Sequence, residues 1–211
     1  MNIVIIGTGG HSKVVKDIIL LNRNIQIVGY LDDKFEDYFI EDKIFYGPIS
    51  AYQFLIDKFD DIKFIVAIGH NQTRKRIVNK LNLEEHLYMT PIHPSAIISP
   101  SASLGIGTVV MANTVINADA VIGDHVIVNT ASIIEHDNKI YDFAHVSPNA
   151  TLAGNVQIGQ GVHIGAGANL IPNVRIGDWS TIGAGATVIN SIPSNTTAIG
   201  IPAKAKKKEE V

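Results

Sequence analysis

A cluster of acid and base side chains lies near the middle of the chain. Glu135, His136 and Asp137 follow one another in the stretch SIIEHDNKIYDF, and His145 comes nine positions after His136. Imidazole titrates near neutral pH and can take a proton from an attacking amine or hydroxyl. A carboxylate beside the ring favours the charged imidazolium and makes the ring a stronger base. These residue types allow a general base, but they equally fit an exposed corner of a repetitive scaffold.

The sequence around this cluster repeats every six residues. From position 96 to 191 the chain divides into 16 consecutive blocks of six, and the third residue of every block is Ile, Leu or Val. Neither a heptad nor strand alternation fits this period, which is typical of a β-helix. Because 18 residues make one coil of three faces, residues 18 apart are expected to stack, as His136 with Gly154 and His145 with His163.

Residues 1–90 follow a different pattern, in which strand-like and helix-like segments alternate. Strands are predicted at 2–7, 25–33 and 63–69, and helices at 11–22, 50–59 and 71–81. Such alternation indicates a small parallel sheet. We therefore expect two domains, residues 1–90 and residues 91–211.

The first predicted strand leads into a glycine-rich segment, GTGGHS (7–12), that opens a helix. Backbone N–H groups at a helix N-terminus can hold a phosphate. The segment resembles the G-x-G-x-x-G dinucleotide fingerprint except that Ser12 replaces the last glycine. The acids of LDD (31–33) follow about 20 residues on, where a dinucleotide fold puts its ribose-binding acid. Taken alone, these features favour NAD weakly.

Composition limits the possible classes of protein. Hydrophobic residues make up 46% and charged residues 18% of the chain, which is typical of a folded domain. The net charge is −3, and the run Lys204, Lys206, Lys207 and Lys208 is expected to be a solvated end, so no nucleic-acid partner is predicted. There is no cysteine, which excludes thiolate chemistry and fits a cytoplasmic location. No apolar stretch approaches the roughly 20 residues of a membrane span, and the first residues do not resemble a signal peptide.

Motifs along the whole chain resemble those of hexapeptide acyltransferases, and in particular the sugar acetyltransferases typified by sialic acid O-acetyltransferase and the UDP-4-amino-sugar N-acetyltransferases. The matching segments are GTGGHSKVV (7–15), LDD (31–33), AIGHNQTRKRI (67–77), IHPSAIISPSA (92–102), IIEHD (133–137), HVSPNATLAGNV (145–156) and GIPAK (200–204). The resemblance implies a Rossmann-like α/β domain followed by a left-handed parallel β-helix. It also implies a homotrimer in which acetyl-CoA lies in the groove between neighbouring subunits.

The resemblance gives the residues of the repeat specific roles. His136 takes the proton from the attacking amine or hydroxyl, Asp137 holds and polarises its ring, and the N–H of Gly154 meets the developing oxyanion. The corresponding acetyl-CoA contacts come from His145 and from the main chain of Ala166 and Ala184. His163 is interpreted as a stacked structural residue, and His86 and His125 as surface residues.

In the N-terminal domain the resemblance implies a nucleotide-linked sugar rather than NAD. The residues involved are Gly9, Gly10 and His11 at the sugar-phosphate end, Asp32 and Asp33 at the uridine, and Gly69 alongside. His70 stands where relatives often have Asn. The expected reaction is N-acetylation of an amino sugar for surface glycan biosynthesis, with O-acetylation of a sugar as the alternative.

Three other classes of protein fit the sequence less well. A β-helix carbonic anhydrase needs three zinc-binding histidines, two of them five residues apart, and the eight histidines of this chain offer no such pair. We therefore expect no metal. A sugar-nucleotide pyrophosphorylase would carry an arginine-bearing loop that GTGGHSK lacks. A non-catalytic binding module would explain the fold but not the pair His136 and Asp137.

Overall fold

The computed structural model describes residues 1–207. These form two compact units, Met1–Pro91 and a second unit that begins at Ile92. Lys208, the last residue of the predicted solvated run, lies outside the described residues. Within the described part of the chain, no helix is long and apolar enough to cross a membrane.

The first unit is a five-stranded sheet with helices. Its strands are β1 (Asn2–Ile6), β2 (Gln26–Leu31), β3 (Phe39–Glu41), β4 (Ile44–Gly47) and β5 (Ile62–Val66). Its helices are α1 (Gly10–Leu20), α2 (Tyr52–Lys58) and α3 (Asn71–Leu81), with short 3-10 helices at Ile49–Ala51 and Glu85–Leu87. The strand order is β3-β4-β2-β1-β5, and all pairs except β3 with β4 are parallel. The predicted parallel sheet is confirmed.

The edge hairpin of this sheet, β3 and β4, was missed by the sequence analysis. Its turn residues Asp42 and Lys43 have left-handed φ values of 48° and 66°, as a type I′ turn requires, but Asn-Gly is the usual sequence signal for that turn. The hairpin is held by aromatic rings instead. Tyr46 stacks on Tyr30 of β2 at 5.5 Å and on Phe39 of β3 at 5.0 Å between ring centroids.

The second unit is a parallel β-helix of two-residue strands. They are β6 (Ile97–Ile98), β7 (Ser103–Leu104), β8 (Val109–Val110), β9 (Val115–Ile116), β10 (Val121–Ile122), β11 (Ile127–Val128), β12 (Ile133–Ile134), β13 (Lys139–Ile140), β14 (His145–Val146), β15 (Thr151–Leu152), β16 (Gln157–Ile158), β17 (His163–Ile164), β18 (Asn169–Leu170), β19 (Arg175–Ile176), β20 (Thr181–Ile182) and β21 (Thr187–Val188). Every third strand pairs in register, which gives three sheets: β6 to β21, β7 to β19, and β8 to β20. The last sheet is extended by β22 (Thr196–Ile199) and the antiparallel β23 (Lys204–Lys207).

The interior of the β-helix is built from two columns of side chains on each face. The predicted column, the third residue of each block, is at most 3% exposed from Val110 to Val188. The first residue of each block also points inward, as Ala144, Ala150 and Val156 do. Burying an Ile, Leu or Val side chain stabilises by roughly 1.5–3 kcal/mol, so the repeat supplies most of its own core. The predicted fold class, a Rossmann-like unit followed by a parallel β-helix, is confirmed.

The corners between strands form three edges, which we name by their residues. The histidine edge carries residues 136–137 and 154–155, the glycine edge carries 166–167 and 184–185, and the aspartate edge carries 124–125, 142–143 and 178–179. The second residue of each of these corners has a left-handed φ, between 52° and 66° for 125, 137, 143, 155, 167, 179 and 185. Asn, Asp and Gly tolerate this conformation best, which explains why they recur every six residues.

Candidate active site

His136 and Asp137 are the two turn residues between β12 and β13. Neighbours within a strand would point to opposite faces, so contact between them depends on the turn. The left-handed φ of Asp137, 61°, brings both side chains to the same outer side. His136 Nδ1 lies 2.7 Å from Asp137 Oδ2. The corner that the sequence could not locate therefore lies where the contact between His136 and Asp137 needs it.

The hydrogen bond between these residues fixes the chemistry of the imidazole. A carboxylate only accepts hydrogen bonds, so Nδ1 carries the proton and Nε2 keeps the free lone pair of the neutral ring. The hydrogen bond to Asp137 raises the pKa of His136 above its usual value, and the charges of Asp137 and Glu135 act in the same direction. Both side chains are well exposed, at 60% and 58%. The ring is thus a strengthened base that is open to solvent.

Gly154 lies at the same edge one coil later, against the ring of His136. A Cβ atom at this position would come within 2.6 Å of Cε1 and Nε2 of the ring. Asn155 N–H donates to the His136 carbonyl at 2.9 Å, which joins the two corners. Within residues 1–207 the N–H of Gly154 donates no hydrogen bond. A backbone donor is therefore left available beside the basic nitrogen.

Asn138, which was not expected from the sequence, holds these two corners together. Its side chain is fully buried, and Nδ2 donates to the Glu135 carbonyl at 2.6 Å and to the Ala153 carbonyl at 2.9 Å. One amide group thus bonds the residue before His136 and the residue before Gly154. A signal existed in the sequence, because Asn138 is a polar residue at the inward-facing first position of its block.

Ala166 and Ala184 stack at the glycine edge, and Gly185 N–H donates to the Ala166 carbonyl at 2.8 Å. Both alanines are exposed. A Cβ on Gly167 or on Gly185 would meet no atom within 4 Å, so the space outside this edge is open. Among the described residues, neither alanine N–H donates a hydrogen bond. By contrast, the aspartate edge fills such N–H groups, since Asp124 Oδ1 accepts from Ile106 N–H at 2.9 Å.

Two histidines stack on the sheet that contains β14 and β17. The rings of His145 and His163 lie 4.9 Å apart and nearly parallel, at 7°. Asn129 Nδ2 lies 3.1 Å from His145 Nε2, and Ser147 Oγ lies 2.9 Å from His163 Nε2. The structural stacking predicted for His163 is confirmed, while the acetyl-CoA contact of His145 stays a prediction.

The prediction that His125 is a surface residue was wrong. Its side chain is 4% exposed and its ring stacks on Phe143 at 5.4 Å. His125 is the second corner residue at the aspartate edge, and the ring folds over Gly107 one coil earlier, where any Cβ would collide with it. Glycine in one coil thus makes room for an aromatic ring in the next. His86 is exposed, as predicted, and its Nδ1 lies 3.2 Å from Glu84 Oε2.

The histidine edge and the glycine edge bound the same sheet, the one that runs from β6 to β21. Chain order places the glycine edge before each strand of that sheet and the histidine edge after it. The width of a sheet therefore separates His136 from Ala166 and Ala184 within one chain. A single chain does not bring the base and the predicted acetyl-CoA corner together.

In the first unit, five of the six predicted substrate residues line one cavity of about 460 Å³: Gly9, Gly10, His11, Asp32 and Gly69. The cavity lies at the carboxyl ends of β1, β2 and β5, where open α/β sheets bind their ligands. Asp33 is not among its lining residues. The Asp33 carboxylate accepts the Ile49 N–H at 3.1 Å and lies 3.5 Å from Lys80 Nζ.

Asp32 ties the glycine-rich loop to the end of β2. Its Oδ2 accepts from the Thr8 N–H at 2.9 Å and from the Thr8 hydroxyl at 2.6 Å, and its Oδ1 accepts from the Lys34 N–H at 3.1 Å. Partial burial raises the pKa of Asp32, but these hydrogen bonds outweigh it and hold the pKa below its usual value. Asp32 is therefore an ionised acceptor in the cavity wall. Thr8 also lines the cavity and was not expected from the sequence.

The N-terminus of α1 lies in the wall of this cavity, and α3 begins two residues after the lining residue Gly69. Helix α1 begins at Gly10 with no side-chain cap at Gly9, so its first N–H groups remain available to an anion. Ser12, which departs from the dinucleotide fingerprint, is buried and donates its hydroxyl to the Gly9 carbonyl at 2.7 Å. His70 is the N-cap of α3, where its Nδ1 accepts from the Thr73 N–H at 3.3 Å. An imidazole thus performs the capping that Asn commonly provides.

Comparisons with known proteins found matches to both units of the chain. Residues 2–81 match the PglD N-terminal domain, and residues 155–190 match the bacterial transferase hexapeptide (six repeats). A histidine mutant of perosamine N-acetyltransferase from Caulobacter crescentus, crystallised with CoA and GDP-perosamine, is 35% identical. The match covers 99% of this chain and 98% of that one, with a TM-score of 0.90. The chain belongs to the hexapeptide-repeat sugar acetyltransferases.

Two further relatives of this sugar acetyltransferase are informative. The acetyltransferase domain of PglB from Neisseria gonorrhoeae FA1090 is 34% identical, over 97% of this chain and 99% of that one, with a TM-score of 0.85. UDP-N-acetylbacillosamine N-acetyltransferase from Bacillus subtilis (strain 168) is 45% identical over 111 residues, which are 53% of this chain and 51% of that protein. This match thus spans about half the length of the curated relative.

Proposed function

We propose that this chain transfers the acetyl group of acetyl-CoA to the amine of a nucleotide-linked amino sugar. The observation that carries the proposal is the corner of the histidine edge, where a strengthened base with a free Nε2 lies beside an available backbone N–H. The relatives support the substrate classes. The Caulobacter enzyme was crystallised with CoA and GDP-perosamine, and the Neisseria domain with acetyl coenzyme A.

The reaction follows from the position of each group. The sugar amine attacks the thioester carbonyl carbon, and Nε2 of His136 takes the proton that the nitrogen loses. The carbonyl oxygen becomes an oxyanion, which the N–H of Gly154 stabilises. The imidazolium is stabilised by Asp137 until the tetrahedral intermediate collapses, breaks the carbon–sulfur bond and returns the proton to the departing thiolate of CoA. No covalent acyl-enzyme is needed, and the chain has no cysteine to form a thioester.

The two substrates have separate binding surfaces in this proposal. The cavity of the first unit binds the nucleotide-linked sugar through the start of α1 and Asp32. The open glycine edge, with the N–H groups of Ala166 and Ala184, binds the pantetheine arm of acetyl-CoA, and His145 contributes to the same ligand. His136 and the glycine edge lie at opposite ends of the strands of one sheet. In this proposal a neighbouring subunit therefore completes the site. We therefore also propose a homotrimer, working in the cytoplasm.

Transfer to a sugar hydroxyl would use the same base and the same oxyanion donor. Two of the three relatives named above are N-acetyltransferases, and this favours the amine. The test is the release of free thiol from acetyl-CoA in the presence of UDP-linked and GDP-linked 4-amino sugars, with the matching 4-hydroxy sugars as controls. We expect thiol release and an alkali-stable acetamide only with an amino sugar. Thiol release with the hydroxy sugars, or with none of the acceptors, would contradict the proposal.

A further inference from the structure

A buried arginine lies behind the cavity of the first unit. Arg74, on α3, is 1% exposed and is the largest of the fully buried side chains. Nothing in its sequence context singles it out from its charged neighbours Lys75 and Arg76, but Arg76 is exposed. Burying a guanidinium is costly unless its N–H groups are satisfied. Because a charge that served only solubility would be exposed, the burial of Arg74 indicates another role.

The guanidinium of Arg74 hydrogen-bonds to residues in the wall of the cavity. Its Nη1 donates to the carbonyl of Ile68 at 2.9 Å and to that of Gly69 at 3.2 Å, and its Nη2 donates to Asn71 Oδ1 at 2.9 Å. Ile68 and Gly69 both line the cavity. The planar fork of arginine can hold these three acceptors at once, whereas a lysine ammonium has no such fixed geometry.

His11 lines the same cavity, and its pKa is affected by the charge of Arg74. Burial first, and then the charge of Arg74, lower the pKa of His11 to about 4. Its Nε2 is buried and has no hydrogen-bond partner among the described residues. Nε2 of a neutral imidazole either donates or accepts one hydrogen bond, so it can pair with a hydroxyl, carbonyl or amide group. It does not form an ion pair with phosphate. A buried polar atom of this kind costs stability until a ligand completes it.

We propose that Arg74 is a positioning residue of the nucleotide-sugar site: it fixes the wall formed by Ile68 and Gly69 and supplies, from behind that wall, the positive charge that a diphosphate requires. The inference rests on the proposed function. The charge of Arg74 and the N–H groups at the start of α1 attract the diphosphate, because a buried charge is poorly screened by solvent. His11 is left uncharged to hydrogen-bond a hydroxyl or carbonyl group of the ligand.

The substitution Asn71→Asp separates charge from shape. It puts a carboxylate against the Arg74 guanidinium with no change of size. The hydrogen bonds of Arg74 to Ile68 and Gly69 are therefore kept, while its positive charge is neutralised. An acid in the first turn of α3 also suits the helix dipole, so the fold should be kept. Arg74→Lys does the reverse, since it keeps a cation and loses the fork. Arg76→Gln, an exposed cation on the same helix, is the matched control.

The probes are UDP, GDP and acetyl-CoA in calorimetry, with NMR titration of the His11 ring. Asn71→Asp should weaken the better-bound nucleotide by about tenfold, the scale of one charge-assisted interaction. It should leave acetyl-CoA binding unchanged and raise the pKa of His11. Apart from Arg74 behind the wall, the charged group that faces His11 is Asp32, which lines the cavity from the end of β2 and which no variant alters. Arg74→Lys should keep the low pKa of His11 and still weaken the nucleotide, while Arg76→Gln should change neither.

The outcomes that overturn the inference are distinct from those that overturn the proposed function. A folded Asn71→Asp variant with wild-type nucleotide affinity, or with an unchanged His11 pKa, would remove Arg74 from the site. Equal weakening by Arg76→Gln would reduce the effect to general surface charge and would also overturn the inference. Wild-type protein that binds neither UDP nor GDP would overturn the nucleotide-sugar site itself.

Discussion

At the scale of single residues, the proposed reaction depends on one exposed imidazole, that of His136. Its Nδ1 is held by Asp137 at 2.7 Å, so its basic atom is Nε2. His136→Ala should lower kcat by roughly 10²–10⁴-fold, the usual contribution of a positioned base, with little change in the affinity for acetyl-CoA. Asp137→Asn should cost less, because Asp137 orients and polarises the ring and does not accept the proton. Steady-state kinetics measure both effects, and a larger loss for Asp137→Asn would refute the roles assigned.

The same pair predicts a shift in the pH dependence of the reaction. The base works only when neutral, so kcat/KM falls as the pH drops through the pKa of His136. Asp137 raises that pKa, which moves the acid limb of the profile to higher pH. Asp137→Asn removes the charge, lowers the pKa and should move the acid limb to lower pH. A profile with an unmoved or higher acid limb would show that Asp137 does not control the base.

At the scale of elements, the relative position of His136 and Gly154 depends on Asn138, which joins their two corners. Asn138 bonds the carbonyls of Glu135 and Ala153, so Asn138→Ala leaves two acceptors without a donor and should cost about 1–3 kcal/mol of stability. Because His136 and Gly154 then separate more easily, kcat should fall while the KM for acetyl-CoA stays near its wild-type value.

Ser132→Ala is the matched control for this prediction. Ser132 is also fully buried at the first position of its block, and its hydroxyl donates to the Asn129 carbonyl at 2.7 Å. It should lose stability, measured by thermal unfolding, without a comparable loss of kcat. If the two variants lose kcat equally, Asn138 acts only through general stability of the coil.

The elements also show which features the sequence could predict. The six-residue period fixes the strands, the inward column and the stacking of residues 18 apart, because each coil repeats the same geometry. The pairing of His136 with Asp137 was less accessible, since it depends on a left-handed turn at an Asp and not on the period. Arg74 and Asn138 were missed for a different reason. Most of their partners are backbone carbonyls, and the residues that provide these carbonyls carry no signal in their identity. For Asn138 the sequence shows only a polar residue at an inward-facing position of its block.

At the scale of the whole molecule, the two units should bind their substrates independently. Asp32→Ala removes the acceptor that anchors Thr8, and with His11→Ala it should weaken the nucleotide sugar while leaving acetyl-CoA binding intact. NAD should not bind, because Ser12 is buried at the position of the third fingerprint glycine. Calorimetry with a UDP-linked amino sugar, acetyl-CoA and NAD tests this. Tight NAD binding, or unchanged sugar-nucleotide binding by Asp32→Ala, would refute the assignment of the cavity.

The assembly should be a trimer whose subunits share their sites. Light scattering should give three copies per particle, and a stable monomer at micromolar concentration would contradict this. His136→Ala removes the base and Ala184→Trp fills the open glycine edge, so each variant alone should be inactive. When the two are co-expressed, about a quarter of the interfaces join two intact edges, and a similar fraction of activity should return. Trimers that regain no activity would mean that one chain supplies both edges.

The unbroken register of the 16 blocks has a consequence for how such an enzyme can change length. Deleting six residues between β6 and β12 would keep His136 and Gly154 on one edge. Deleting six residues between His136 and Gly154 would instead rotate everything downstream by a third of a turn and carry Gly154 to another edge. An insertion would return Gly154 to the edge of His136 only if it added whole coils of 18 residues, and Gly154 would then lie further from His136. The repeat therefore behaves as a structural reading frame: the rod can lengthen or shorten by whole coils outside the span from His136 to Gly154, while the loss or gain of one block inside that span moves Gly154 away from His136.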